Sequence, residues 1–231
     1  MNFPDISVLI VTYNRPQEIR ETLRALREHL RYSGIVHWHV CDDGSPAGYL
    51  DNLKADFPAL ALCTTVTPRR GWGANVNTGL KSIPEHFTFL CEDDYVAQRP
   101  LDLNQGVALL ASNTKLGLVR YDGLAGHDLM LHVEECKTGM GALTYLRLLG
   151  ESKALNLYSN RPHLKHLRFH QQYGEYPMGK PLGITEESYA HKVKDRYGSG
   201  PGIACLPDGV ALAFKHIGKS YQGGTEDVGK R

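Results

Sequence analysis

Apolar residues run through Ile6-Ser7-Val8-Leu9-Ile10-Val11 almost without interruption, the pattern of a strand covered on both faces. From Pro16 onward they recur at helical spacing instead, as Ile19, Leu23, Leu26 and Leu30, behind a proline suited to a first turn. The alternation then repeats. Val36 to Cys41 predicts a second strand; Tyr49, Leu50, Leu53 and Phe57 predict a short helix; Leu60 to Val66 predicts a third strand. A glycine-broken loop, Arg69-Arg70-Gly71-Trp72-Gly73, leads into a helix expected over 74–83, and Phe87-Thr88-Phe89-Leu90-Cys91-Glu92 supplies a fourth strand. Strands and helices alternating at this pitch predict βαβ units and an α/β fold with a mostly parallel sheet.

Past Asp94 the rhythm changes. Leu101 to Ser112 predicts a helix, Leu116 to Tyr121 a strand, Asp128 to Val133 a returning strand and Glu186 to Tyr197 a helix, while Thr144 to Tyr158 suits either state. Neither a linker nor a repeat divides the chain. It reads as one domain, with a nucleotide-type half over 1–95, an acceptor-type half over 96–219 and a polar, glycine-rich tail over 220–231 expected to be mobile.

The first three of these strand ends to carry chemistry are Thr12-Tyr13-Asn14, Asp42-Asp43-Gly44-Ser45 and Glu92-Asp93-Asp94. Parallel strands put such loops on one edge, where open α/β sheets bind ligands. Neighbouring carboxylates repel one another unless something offsets them, and a hard divalent ion carrying a phosphate would do so. Ser-Val-Leu-Ile-Val-Thr-Tyr-Asn-Arg-Pro, Asp-Asp-Gly-Ser, the Gly-x-x-x-Asn-x-Gly of Gly73 to Gly79 and the acidic triplet stand in the order and spacing of the family-2 glycosyltransferases. Over about its first hundred residues the chain resembles that family, which has the GT-A fold.

The resemblance implies a nucleotide-sugar donor, most simply a UDP-sugar, bound among Thr12, Tyr13, Asn14, Asp42, Asp43, Arg69, Arg70, Asn77, Glu92 and Asp93. Asp43 resembles the carboxylate that accepts a hydrogen bond from the base, and Asp42 a residue ordering its loop. Asn77 and Gly79 resemble the helix covering the donor, although Val76 stands where the family has a basic residue; Arg69 and Arg70 are the candidates to replace that charge. Glu92-Asp93-Asp94 resembles a DxD motif with Glu first. Asp94 would then be a ligand of Mn²⁺ or Mg²⁺, and His216 resembles a C-terminal histidine that adds a metal or diphosphate contact. Glu186 and Glu187, expected at the start of a helix, resemble the family's general base, with Glu186 preferred; a carboxylate opposite the leaving diphosphate implies inversion.

The remaining features bear on the acceptor. Arg161 to His170 is strongly basic, and with Tyr158, Tyr173 and Tyr176 it reads as a cationic, aromatic wall suited to a phosphate-containing acceptor, hydroxymethylated DNA bases included. His163, His166 and His170 fit one helical face, but no Cys or carboxylate beside them completes a zinc set. The 26 Lys and Arg against 25 Asp and Glu give no overall charge argument for a nucleic-acid or membrane partner. Five scattered cysteines indicate no disulfide framework. Without an apolar span or a secretion-type N-terminus, the expected location is the cytoplasm. Two other readings fit parts of the pattern: a silent nucleotide-sugar or glycan-binding module, and a nucleotidyltransferase on a related sheet. The second usually opens with a glycine-rich phosphate loop, and Thr12-Tyr13-Asn14-Arg15-Pro16 has no glycine.

Overall fold

In a computed structural model, residues 3–121, 133–138, 143–206 and 213–218 are described. The first half runs β1 (Ile6–Thr12), α1 (Glu18–His29), β2 (Leu30–Arg31), β3 (Val36–Asp42), α2 (Tyr49–Asp56), β4 (Cys63–Val66), α3 (Trp72–Lys81) and β5 (Phe87–Glu92). β1 is buried along its whole length. It pairs in parallel with β3 on one side and β5 on the other, and β4 extends β3 in parallel. Side chains alternate across a strand, so Val8 and Ile10 meet Ile19, Leu23 and Leu26 of α1, while Leu9 and Val11 meet Val76 of α3 on the opposite face. The helix α3 lies close to the sheet because residue 79 is glycine: a Cβ there would come within 2.9 Å of Leu9.

The second half runs β6 (Tyr95–Ala97), β7 (Leu101–Asp102), α4 (Leu103–Ser112), β8 (Leu116–Arg120), β9 (Val133–Lys137), β10 (Thr144–Leu148), α5 (Ala154–Leu157), β11 (His163–His166), α6 (Leu167–Tyr173), α7 (Leu182–Asp195), β12 (Gly202–Cys205) and β13 (Phe214–His216). The large sheet is ordered β4-β3-β1-β5-β11-β8-β12-β10-β9. It is parallel from β4 to β5, as the alternating pattern predicts, and mixed beyond, with β11 antiparallel to both β5 and β8. Separately, β13 pairs antiparallel with β6, setting His216 opposite Tyr95.

Several expected elements shift. The third strand is shorter than Leu60–Val66, because Pro58–Leu60 forms a 3-10 turn and Ala61 takes a positive φ before β4 begins. Thr144 to Tyr158 contains both a strand and a helix. His163, His166 and His170 share no helical face: the first two bound β11 and the third lies in α6. The last long helix starts at Leu182 rather than Glu186, after a Pro181 whose carbonyl accepts from Thr185 N at 2.9 Å. Glu186 and Glu187 therefore sit in its second turn, a correction to their expected place at its start. Most of the expected strand over 128–133, and the tail over 220–231, lie outside the described residues.

Candidate active site

Thr12, the last residue of β1, ties the polar loops together. Its carbonyl accepts from Asp43 N at 3.0 Å, and its hydroxyl donates to Asp93 Oδ2 at 2.7 Å. Asn75 of α3 closes the same corner, donating to the carbonyls of Thr12 and Cys41 at 3.3 and 2.9 Å. The loops after β1, β3 and β5 thus share one edge of the sheet.

On the β3 side, Asp42 accepts from the backbone of Ser45 at 2.8 Å and from its hydroxyl, closing the Asp-Asp-Gly-Ser turn. Ser45 Oγ in turn accepts from Asn14 N at 2.7 Å, with Asn14 at a positive φ of 48°. Asp43 is engaged by the loop before α3. Its Oδ1 accepts from Thr67 Oγ1 at 3.0 Å and Arg70 N at 2.9 Å, and its Oδ2 from Gly71 N at 2.8 Å. The Arg69 guanidinium lies over the Tyr13 ring at 4.3 Å, and Arg70 is exposed. A hollow of about 410 Å³ opens beside this loop, lined in part by Thr67, Arg70, Asn77 and Met178; Asp43, Asp94 and Glu186 are not among its walls.

Asn77 is buried, and its amide holds the backbone of Tyr176 from both sides, donating to its carbonyl and accepting from its N–H at 2.9 Å each. That contact anchors the segment leading into α7. Glycine is required here too: a Cβ on Gly73 would lie 2.1 Å from the Pro177 carbonyl.

The acids after β5 are crowded. Asp93 and Asp94 are both buried, and one guanidinium nitrogen of Arg15 reaches Asp93 Oδ1 at 3.2 Å and also contacts Asp94 Oδ2. His216 Nε2 lies 3.2 Å from the same Asp94 oxygen. The β6–β13 pair makes this possible, with Ile217 N donating to Asp94 O at 2.9 Å. Gly218 lets the chain pass, since a Cβ there would fall 2.1 Å from Asp94 Oδ2. Burial lifts the Asp93 carboxyl to about 6, against the pull of Arg15 and the Thr12 hydroxyl. Glu92 is pushed well above the usual carboxylate range by burial, then by Asp94 and Glu186. Glu186 is thus near enough to Glu92 to bear on its charge.

Glu186 Oε1 accepts from Asn160 N at 2.8 Å, which fixes the carboxylate against the segment before β11. Glu187 points elsewhere. Its side chain is 58% exposed and lies 4.0 Å from His191, one turn on. The expected acceptor wall loses its tyrosines, while Arg161, His166, Arg168 and His170 are half-buried. Tyr158, Tyr173 and Tyr176 are buried, as are His163 and Lys165, because β11 is an interior strand and these rings pack beneath α7. Their phenols bond inward: Tyr158 to Tyr176 at 2.6 Å, and Tyr173 to the Pro201 carbonyl at 3.1 Å. Among the described residues the chain therefore has no tyrosine wall for stacking at Tyr158, Tyr173 and Tyr176.

Asp94 Oδ1 and Glu92 Oε1 are buried without a hydrogen-bond partner. Among the described residues no three His, Cys, Asp or Glu side chains stand close enough to hold a metal by themselves. Asp94 and His216 can supply two ligands, which fits an ion whose other positions come from phosphate and water, the usual arrangement for Mg²⁺ with nucleotides. Three contributors were missed in the sequence: Arg15, Asn160 and Gly218. Arg15 had a signal, as the one cation in the polar loop after β1; the other two act through backbone contacts that residue type does not disclose.

A parallel half-sheet whose carboxyl edge collects acids from β3 and β5, joined to a mixed half carrying a further acid on α7, defines the GT-A class of fold. The sequence profile of glycosyl transferase family 2 matches residues 7–141, and the chain belongs to that family. Solved structures agree on the fold. S. aureus TarS superposes with a TM-score of 0.64 at 17% identity, covering 91% of this chain and 36% of its own. TarS 1-349 in complex with UDP-GlcNAc gives 0.64 at 16%, covering 93% and 60%. The mannosyltransferase PcManGT from Pyrobaculum calidifontis, in complex with GDP-Man and Mn²⁺, gives 0.65 at 16%, covering 96% and 59%. The chain thus spans between 36 and 60% of the length of these structures. No curated protein sequence matches it.

Proposed function

We propose that the chain transfers a sugar, with inversion, from a nucleotide diphosphate donor, UDP-linked in the first instance, to an acceptor hydroxyl. The observation that carries this is the position of Thr12, bonded to Asp43 on one side and Asp93 on the other. It makes one edge out of a base-side acid and the diphosphate-side acids. Asp43 Oδ2 accepts a single bond, from Gly71 N; its second lone pair is the acceptor a base N–H would use. Tyr13, held under Arg69, provides a flat neighbour for that base. Asp94 and His216 would hold Mn²⁺ or Mg²⁺. Such an ion, when bound with the donor, neutralises charge growing on the leaving diphosphate. The binding of UDP-GlcNAc by TarS 1-349 and of GDP-Man with Mn²⁺ by PcManGT supports both halves of this reading.

Glu186 takes the acceptor's proton, held in place by Asn160 N. Glu187, turned to His191, takes no part. The acceptor is a hydroxyl. The tyrosines and the lysine of the expected phosphate-binding wall are buried, which leaves a phosphate-bearing or nucleic-acid acceptor only the half-buried Arg161, His166, Arg168 and His170 in support. No helix among the described residues is long and apolar enough to cross a membrane, and we place the reaction in the cytoplasm.

The test is release of UDP from UDP-GlcNAc and UDP-glucose by the wild type with Mn²⁺. Slow donor hydrolysis that EDTA and Asp94→Ala abolish is expected. Hydrolysis unchanged in Asp94→Ala overturns the metal assignment, and UDP binding without any turnover identifies a silent binding module.

A further inference from the structure

We infer that Arg15 is a donor-binding residue that serves as the counter-ion of Asp94 in the free enzyme and moves to the donor diphosphate when Asp94 takes up a metal, so that metal and donor bind cooperatively. The inference rests on the proposed function and names a residue that function had not used.

Asp93, Asp94 and Glu186 all bear on the charge of Glu92. The cation in contact with two of them is Arg15, through a single nitrogen. The Asp94 oxygen it touches, Oδ2, is also the one facing His216. An ion held between His216 and the Asp94 oxygen that faces it would meet the Arg15 nitrogen on that same oxygen, so Arg15 and the ion compete for Oδ2. The competition favours Arg15 while no donor is present. A guanidinium–carboxylate bond in a buried site is charge-assisted and partly shielded from water.

The donor changes the balance. Arg15 follows Asn14, which holds a positive φ and is pinned through its N–H to Ser45, so its backbone is fixed on the edge where a diphosphate would lie. Its side chain keeps 31% of its surface exposed. A guanidinium's planar fork matches phosphate oxygens as well as it matches a carboxylate. Once Arg15 turns to the diphosphate, Asp94 is released to the ion, and the ion reduces the repulsion between the diphosphate and the acids. By linkage, each ligand raises affinity for the other by the same factor.

The experiment measures Mn²⁺ binding by the paramagnetic signal of free Mn²⁺, with and without UDP, for wild type and Arg15→Met. Wild type should bind Mn²⁺ weakly alone and about tenfold or more tightly with saturating UDP, within the usual range of such couplings. Arg15→Met should bind Mn²⁺ alone about fivefold more tightly than wild type and gain less from UDP than wild type does, keeping only the gain that the phosphate ligands supply. Arg15→Lys, which keeps the charge without the fork, should fall between them and carries the test if the Met variant fails to fold. Equal or weaker Mn²⁺ binding by Arg15→Met without UDP overturns the inference while leaving the proposed function standing. No Mn²⁺ binding by wild type even with UDP overturns the metal assignment itself, and the inference with it.

Discussion

The hydroxyl of Thr12 donates to Asp93 Oδ2 at 2.7 Å, joining residues 81 positions apart in the chain. It also pairs with the Tyr49 phenol at 2.6 Å. Thr12→Val keeps the shape and removes both bonds, leaving a buried carboxylate short of a donor. A loss of about 1–3 kcal/mol is expected, read as a melting temperature several degrees lower, with weaker UDP binding because Asp93 no longer fixes the loop. An unchanged melting temperature would show that the bond does not organise the edge.

Gly218→Ala separates the metal site from the fold. The new Cβ must displace the Asp94 carboxylate, whose Oδ2 lies 2.1 Å from it, while the main sheet is elsewhere. Mn²⁺ binding in the presence of UDP should fall by about an order of magnitude or more, roughly the worth of one charge-assisted contact. Far-ultraviolet circular dichroism should match wild type. Retained Mn²⁺ affinity would remove Asp94 from the ligand set.

The two glutamates of α7 predict opposite outcomes. Glu186→Gln removes the base and should slow turnover of UDP-sugar by about 10²–10⁴-fold with UDP affinity kept. Glu187→Gln, on the exposed face, should change turnover less than about twofold, as surface substitutions usually do. Equal effects would show that neither residue is the base.

Lys165 gives a pH signature. Its amine is buried, bonded to the Tyr176 phenol at 3.3 Å, and burial pushes it down to about 7 from 10.5. Between pH 7 and about 10.5 the unfolded chain carries more protons at this site than the fold does, so stability from Lys165 rises with pH across that window. Below pH 7 both states are charged and the full burial cost is present. The neighbouring His163 and His170, lowered to about 3 and 4 chiefly by burial, stay neutral throughout. Lys165→Met should therefore melt higher than wild type at pH 6.5, with the gap narrowing by pH 9.5. A gap independent of pH would contradict a buried, titrating amine.

The same residue shows where the sequence stops being readable. β1, β3 and β5 announce themselves because a strand covered on both faces is apolar on both, and their terminal acids mark the edge. β11 is equally interior but reads His163-Leu164-Lys165-His166, a basic stretch that suggests a surface. Its polar side chains are accommodated by partners that residue type does not disclose: Tyr176 for Lys165, and the Arg161 carbonyl, 2.8 Å away, for His163. The acceptor-side tyrosines were misplaced for the same reason. The preference for Glu186 over Glu187 came from the resemblance alone, because the physical difference between them depends on Pro181 starting α7 early and on Asn160 N reaching back to one carboxylate.

The most direct test of the whole account is a crystal soaked with UDP and Mn²⁺, read by the anomalous signal of the metal. The account predicts one strong peak between Asp94 and His216, with the diphosphate completing its shell and the base beside Asp43. A peak remote from Asp94, or UDP bound away from the edge that Thr12 joins, would contradict it.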